Sequence, residues 1–164
     1  VKVPKENRIA EDGFGFKFAM KSLEAGRIGI AAQALGLASG ALERSVQYAK
    51  ERKAFGTQIA NHQAIAFKLA DMAVKVENAR NLCLKAAWMK DTGKSFTLSG
   101  SIAKQYCADI AMEVTTEAVQ IHGGYGYVKE YHVERLMREA KLTQIYEGTS
   151  EIQKIVISRA LLRD

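Results

Sequence analysis

A chain of 164 residues, 48% hydrophobic and 26% charged, is composed for one globular core that buries roughly 70% of its unfolded surface. No apolar run approaches the ~20 residues of a membrane span. Net charge is +6, yet no block of five basic residues occurs, because Lys and Arg alternate with acids, as in Lys50-Glu51-Arg52-Lys53. That diffuse balance disfavours a nucleic-acid module and suits an anionic, phosphate-bearing ligand at least as well. The chain opens on Val1 and runs through Val-Lys-Val-Pro-Lys-Glu-Asn without a charged-then-apolar leader pattern, as expected of a cut inside a longer protein.

After the single proline, Pro4, the whole chain reads as helix and turn. From Phe16 to about Lys53, apolar or small residues recur at Ile28, Ala31, Leu35, Ala38, Leu42 and Ala49. Phe55-Gly56-Thr57 is expected to end that helix. A second stripe runs Ile65, Leu69, Met72, Val76, Ala79, Cys83, Ala86, alternating steps of four and three. Asp91-Thr92-Gly93-Lys94 stops it. A third runs Ala103, Cys107, Ile110, Val114, Ala118, Ile121 and stops at Gly123-Gly124-Tyr125-Gly126. Shorter helices are expected near Tyr131–Lys141 and Ser150–Leu162, the latter opened by a capping box of Ser150 and Gln153. Three long antiparallel helices with shorter ones make an all-α, four-helix up-and-down bundle. The two cysteines, Cys83 and Cys107, lie in apolar stripes without a ligand or disulfide spacing, so they read as reduced core fillers. The histidines His62, His122 and His132 likewise have no metal-binding spacing.

Three features exceed what an inert bundle needs. Arg27 enters the apolar stretch Gly26–Ala32, where a guanidinium must either snorkel to the surface or meet a carboxylate or ligand oxygen. Gln120–Gly126 packs three glycines into four positions at a helix exit, either an ordinary stop or a backbone that something approaches closely. Glu147 sits in a short loop before a capped helix, flanked by Ile145 and Tyr146. Desolvation against an apolar wall and the helix dipole would act on it in opposite senses, leaving either a surface Glu or a base near neutral pH.

The same segments carry a resemblance. Ile145–Gln153 (IYEGTSEIQ), Gln120–Tyr127 (QIHGGYGY), Glu51–Gly56 (ERKAFG), Gln63–Met72 (QAIAFKLADM) and Leu23–Gly36 (LEAGRIGIAAQALG) are similar, in this order, to acyl-CoA dehydrogenases. The similarity is collinear over nearly the whole chain and is closest to short-chain or butyryl-type members. It implies the C-terminal helical domain of a flavoenzyme, with residues 1–15 as the link from a β domain and 16–164 as the bundle. The implied reaction is α,β-dehydrogenation of an acyl-CoA with FAD as hydride acceptor. Electrons would pass to an electron-transfer flavoprotein, and the enzyme would be a homo-oligomer, dimer or tetramer, of fatty-acid β-oxidation.

Residue by residue, Glu147 matches the catalytic base and Gly148 a substrate contact beside it, while Glu24 and Arg27 match the CoA side of the pocket. Arg52, Lys53, Ala54, Phe55, His62 and Gln63 match one FAD-contacting segment. Gln120, Ile121, His122, Gly123 and Gly124 match a second; Thr149, Ser150 and Glu151 match a third. Phe55 would cover the adenosine half, and some contacts would reach a neighbouring subunit's FAD. Isovaleryl- and long-chain-type members carry their base just before the Arg, where this chain has Gly26. The chain departs from the family pattern at His132, where a proline is common; at a helix N1 position that exchange is expected to cost little. A bacterial cytoplasm, or alternatively a mitochondrial matrix, suits this chemistry. Two further readings keep the same fold, an enoyl-CoA reductase and a non-catalytic helical scaffold. Cut from its partners, the fragment itself is expected to be inactive and to self-associate through its former interfaces.

Overall fold

A computed structural model of the chain describes residues 1–163. Residues 1–14 hold one 3-10 turn, Lys5–Asn7, and then the helices begin. Helix α1 spans Gly15–Glu51, α2 Gln63–Asp91, α3 Thr97–His122, α4 Val133–Thr143 and α5 Ser150–Leu161. The 37 residues of α1 reach about 55 Å at 1.5 Å per residue, the length of the whole bundle.

Helix α3 is the axis of the molecule and packs on α1, α2, α4 and α5. All of Ala103, Cys107, Ile110, Val114, Ala118 and Ile121 are buried. So is a second seam on the same helix, Ser101, Lys104, Ala108, Ala111 and Thr115, which its central position requires. The facing seam of α1 is built from small residues, Ala31, Ala34, Ala38, Ala41, Ser45 and Ala49, all without exposed surface. Short side chains let the two helix backbones approach closely, so packing rather than bulk fills this core. The expected Leu35 and Leu42 flank that seam, partly buried. Buried hydroxyls turn back to their own helix: Ser45 donates to the Ala41 carbonyl at 2.8 Å and Thr115 to that of Ala111 at 2.6 Å. The stripe of α2 is buried from Met72 to Ala86, with Ile65 and Leu69 packed at its edge. Its outer side leaves Phe67, Val74, Leu84 and Trp88 exposed.

Four expectations need correction. First, α1 ends at Glu51, not near Lys53, and Phe55-Gly56 is not its stop. Arg52 is extended, and a two-stranded hairpin follows, β1 (Lys53–Ala54) antiparallel to β2 (Thr57–Gln58), with Lys53 opposite Gln58 and Ala54 opposite Thr57. Phe55 and Gly56 form its turn, both at positive φ, as a tight two-residue hairpin requires.

Second, the cap of α5 is Thr149, whose Oγ1 accepts from the Ile152 N–H at 3.4 Å. Ser150 is already helical, and the Gln153 amide turns to the preceding loop instead of closing a box. Third, His132 is not at N1. It is the residue before α4 with φ +63°, and its N–H donates to the Lys129 carbonyl at 3.2 Å. Proline, locked near −65°, cannot take that backbone. Fourth, Ile145 forms no wall for Glu147, since it is exposed.

Candidate active site

The loop between α4 and α5 carries two successive residues in left-handed conformations, Glu147 at φ +53° and Gly148 at φ +87°. For a residue with a Cβ this conformation is sparsely populated and must be held by its surroundings. Buried donors hold it here. The Nζ of Lys104 donates to the Gly148 carbonyl at 2.7 Å, and Gln153 Nε2 donates to the same oxygen at 2.9 Å and to the Glu147 carbonyl at 3.3 Å. Ser150 N–H closes the turn on the Gln144 carbonyl at 3.0 Å. Gly148 is required twice over, by its φ and because a Cβ there would stand 2.8 Å from Gln153 Nε2.

The turn lays the Glu147 side chain across α1. A Cβ built on Gly26 would lie 2.3 Å from Glu147 Oε2 and 2.9 Å from its Cδ, so the carboxylate occupies the space that a larger residue 26 would fill. Oε2 is buried and has no hydrogen-bond partner. Buried acceptors without a partner are uncommon in protein interiors, and Glu147 Oε2 is one of three such side-chain atoms here, with Arg27 Nε and Gln153 Oε1. Tyr146 beside it reaches along α1, its hydroxyl donating to the Gln33 side chain.

Arg27, the next residue of α1, does not snorkel. It is 8% exposed, its Nη1 donates to Ser101 Oγ at 3.4 Å, and its Nε is buried without a partner. No carboxylate within ion-pairing distance answers it among the described residues. Glu147 Oε2, lying over Gly26, and Arg27 Nε are thus two buried polar atoms without a partner near the start of α1. Glu24, one turn earlier, accepts from Thr97 Oγ1 at 3.2 Å and lines a cavity of about 440 Å³ with Leu98, Val156 and Arg159.

The second group of candidate residues lies at the other end of α3. Arg52, Ile121, His122, Gly123 and Gly124, with Tyr48, line a cavity of about 500 Å³. His122 is buried and stacks on Tyr48 at 4.2 Å between ring centroids, and Nδ1–H donates to the Ala118 carbonyl at 2.8 Å. Burial pushes the His122 imidazolium below the ordinary histidine range, and the Ala118 bond offsets part of that. Burial also raises the Tyr48 phenol. The Arg52 guanidinium lies over the Tyr125 ring at 5.4 Å. Of the three glycines, two answer to the fold: Gly123 takes φ +60°, and a Cβ on Gly126 would meet the Val119 carbonyl at 2.5 Å. Gly124 faces open space.

Lys53 and Phe55 project with the hairpin, Phe55 96% exposed, while Ala54 between them packs against the core. His62 is tied to the hairpin through Nε2, 3.2 Å from the Ala54 carbonyl, and Gln63 opens α2 on the surface. Gln120 is exposed on α3. Thr149, Ser150 and Glu151 border a third cavity of about 320 Å³ with Asp109, Lys141 and Lys154. The three segments expected to contact a cofactor therefore do not converge on one cavity within the chain.

Residues absent from the sequence reading also shape the site, Ser101, Lys104 and Tyr48, and Gln153, read there only as a capping residue, grips the turn. Ser101 and Lys104 carried a signal, being the first members of the second α3 seam at helical spacing.

Residues 13–162 match the family described as "Acyl-CoA dehydrogenase, C-terminal domain". Among curated relatives, "Acyl-CoA dehydrogenase, short-chain specific" of Megasphaera elsdenii is 58% identical over 99% of this chain and 43% of its own length. "Caffeyl-CoA reductase-Etf complex subunit CarC" of Acetobacterium woodii is 54% identical over 99% of this chain and 43% of its own. The solved butyryl-CoA dehydrogenase of Megasphaera elsdenii superposes with a TM-score of 0.96 at 58% identity, covering 99% of this chain and 43% of that one. The chain thus spans about 43% of the length of these relatives. At that identity over nearly its whole length, the chain belongs to the acyl-CoA dehydrogenase family, as the C-terminal helical domain.

Proposed function

We propose that the whole protein is an FAD-dependent dehydrogenase of a short-chain acyl-CoA, with residues 1–15 leading from a β domain into the helical domain. The carrying observation is the buried, unpartnered Glu147 Oε2, held on a left-handed turn above Gly26. In this reading Glu147 removes the α-proton of the thioester, the α,β double bond forms, and a hydride leaves Cβ. FAD, when bound, supplies the acceptor for that hydride. Gly26 leaves room for the carboxylate, and Arg27, Glu24 and Gly148 line the substrate side. The turn supplies positioning, and closure over a thioester would exclude water around the base.

The cavity of Tyr48, Arg52, His122, Gly123 and Gly124 fits part of a phosphate-bearing aromatic cofactor: stacked rings, one guanidinium and an open glycine backbone. Ile121 and Arg52 line it; in this reading Gln120, and Lys53, Ala54, Phe55, His62 and Gln63 of the hairpin side, would contact the parts of the cofactor that extend beyond it. Thr149, Ser150 and Glu151 lie apart from it, which favours a cofactor shared between copies of the protein. The exposed Phe67, Val74, Leu84 and Trp88 on α2 support a homodimer or homotetramer. No helix among the described residues is long and apolar enough to cross a membrane. A bacterial cytoplasm is the favoured setting, with a mitochondrial matrix as the alternative, and an electron-transfer flavoprotein is the electron partner. The relative named as a caffeyl-CoA reductase favours a second reading, the same site run as an enoyl-CoA reductase.

The test is anaerobic titration of the full-length enzyme with saturated acyl-CoAs of increasing length, following bleaching of the flavin band. Short chains should bleach it. Glu147→Gln should bind and fail to bleach, with reduction slowed by about 10²–10⁴-fold or more, the usual contribution of a general base. Wild-type bleaching by the variant would remove Glu147 from the reaction. Reduction of enoyl-CoA by the reduced flavoprotein partner faster than the forward reaction would select the reductase reading.

A further inference from the structure

Lys104 is the largest fully buried side chain of the protein, and nothing in its role as part of a helix seam calls for an amine. Neutral, flexible methionine would fill the same volume. A lysine deep in a core is among the least favourable contents of an interior unless its charge or its donors are used. No carboxylate lies within ion-pairing distance of it among the described residues. Its Nζ instead donates to the Gly148 carbonyl at 2.7 Å.

That carbonyl belongs to the strained turn. With Gln153, Lys104 draws the successive carbonyls of Glu147 and Gly148 to the inner side of the loop, while the Glu147 side chain lies over Gly26. The charged groups that act on the amine are Asp109 on its own helix, Arg27 on α1, Glu151 on α5 and Glu147 in the loop. Burial pushes its ammonium below the ordinary lysine range; Asp109, Glu151 and Glu147 pull it back and Arg27 opposes them.

We infer that Lys104 is a positioning residue for Glu147: its buried amine grips the Gly148 carbonyl from behind the turn and so sets the carboxylate over Gly26. This rests on the reading of Glu147 as the base. Gln153 grips the same oxygen from α5, so Lys104 is what ties the turn to the central helix α3.

The test uses the full-length, FAD-loaded enzyme with Lys104→Met, Lys104→Gln and Lys104→Arg, beside Glu147→Gln. Flavin reduction by a short saturated acyl-CoA is timed, and FAD content and acyl-CoA affinity are measured for each variant. Lys104→Met should keep FAD and bind acyl-CoA within about 3-fold, yet reduce flavin on the order of 10²-fold more slowly, the effect of an ångström-scale misplacement. The deficit should fall on the reduction rate and not on acyl-CoA affinity, a split that a merely structural lesion would not give. Lys104→Arg, which keeps a long N–H donor, should return part of the rate. Should Lys104→Met not take up FAD, Lys104→Gln, whose amide nitrogen is one atom short of the lysine Nζ, must show the same split.

A Lys104→Met enzyme with a wild-type reduction rate, beside an inactive Glu147→Gln, overturns the positioning role and leaves the base in place. An active Glu147→Gln overturns both. Loss of FAD by both neutral variants assigns Lys104 to folding alone and overturns the inference.

Discussion

Replacing Gly26 by alanine would put a methyl carbon 2.3 Å from Glu147 Oε2 and 2.9 Å from Cδ, where ordinary contact begins at 3.4 Å. The helix backbone of α1 cannot yield there without disturbing the alanine seam on α3, so the carboxylate must withdraw, by about 1 Å. Displacement on that scale costs on the order of 10²-fold in a positioned reaction. Stability should move the other way. The atom displaced is the free end of a side chain with no hydrogen bond to lose, and alanine within a helix is favoured over glycine by roughly 0.5–1 kcal/mol. Gly26→Ala should therefore yield a full-length enzyme that melts no lower than wild type, retains FAD, and reduces its flavin about 10²-fold more slowly under anaerobic stopped flow. A wild-type reduction rate would refute the apposition of Gly26 and Glu147. So would a slow variant whose deficit tracks lost FAD or lost stability.

The remaining predictions concern the core and the turns. Burial, with a smaller contribution from Cys83, pushes the Cys107 thiol up to about 12, and burial raises the Cys83 thiol as well. At pH 8 the Cys107 thiolate fraction is then about 10⁻⁴, so iodoacetamide should label neither thiol of the native chain and both after unfolding; rapid native labelling would contradict the buried placement. Because the folded His122 titrates below its ordinary value of about 6.5, the unfolded chain binds the proton first as pH falls. Its contribution is absent above that value and destabilising below it. His122→Phe, which keeps a ring against Tyr48, should lose less melting temperature than wild type between pH 7.5 and 5.5, and equal losses would count against the buried neutral imidazole. His132→Pro must swing φ from +63° and surrender the bond to Lys129, so denaturant unfolding should show a loss of about 1–3 kcal/mol rather than neutrality.

Helix existence and the identity of the buried stripes were legible because both depend on local periodicity. Residues three and four apart share a face whatever the helix packs against, so the α2 and α3 stripes could be read residue by residue. The motif segments likewise singled out Glu147, Arg27 and the glycine-rich exit of α3 as candidates, by residue type and by resemblance. Other features were not legible. A helix with one partner needs one stripe; α3 has four partners, and although Ser101 and Lys104 stand at helical spacing in a second seam, only its place at the centre shows that this seam is covered. The shift of the cap to Thr149, the left-handed His132 and the hairpin around Phe55 arise from hydrogen bonds and backbone angles that residue types permit without dictating.

The site itself is tertiary. Lys104 meets the Gly148 carbonyl across 44 residues of chain, and Tyr146 meets Gln33 across 113. No spacing in the sequence encodes those distances. The amino-acid sequence by itself determined which residues were available for chemistry and which faces would be buried. The packing of α1, α3 and the α4–α5 turn decided that a carboxylate, a glycine and a buried amine stand together, because burial brings together groups that the chain keeps far apart.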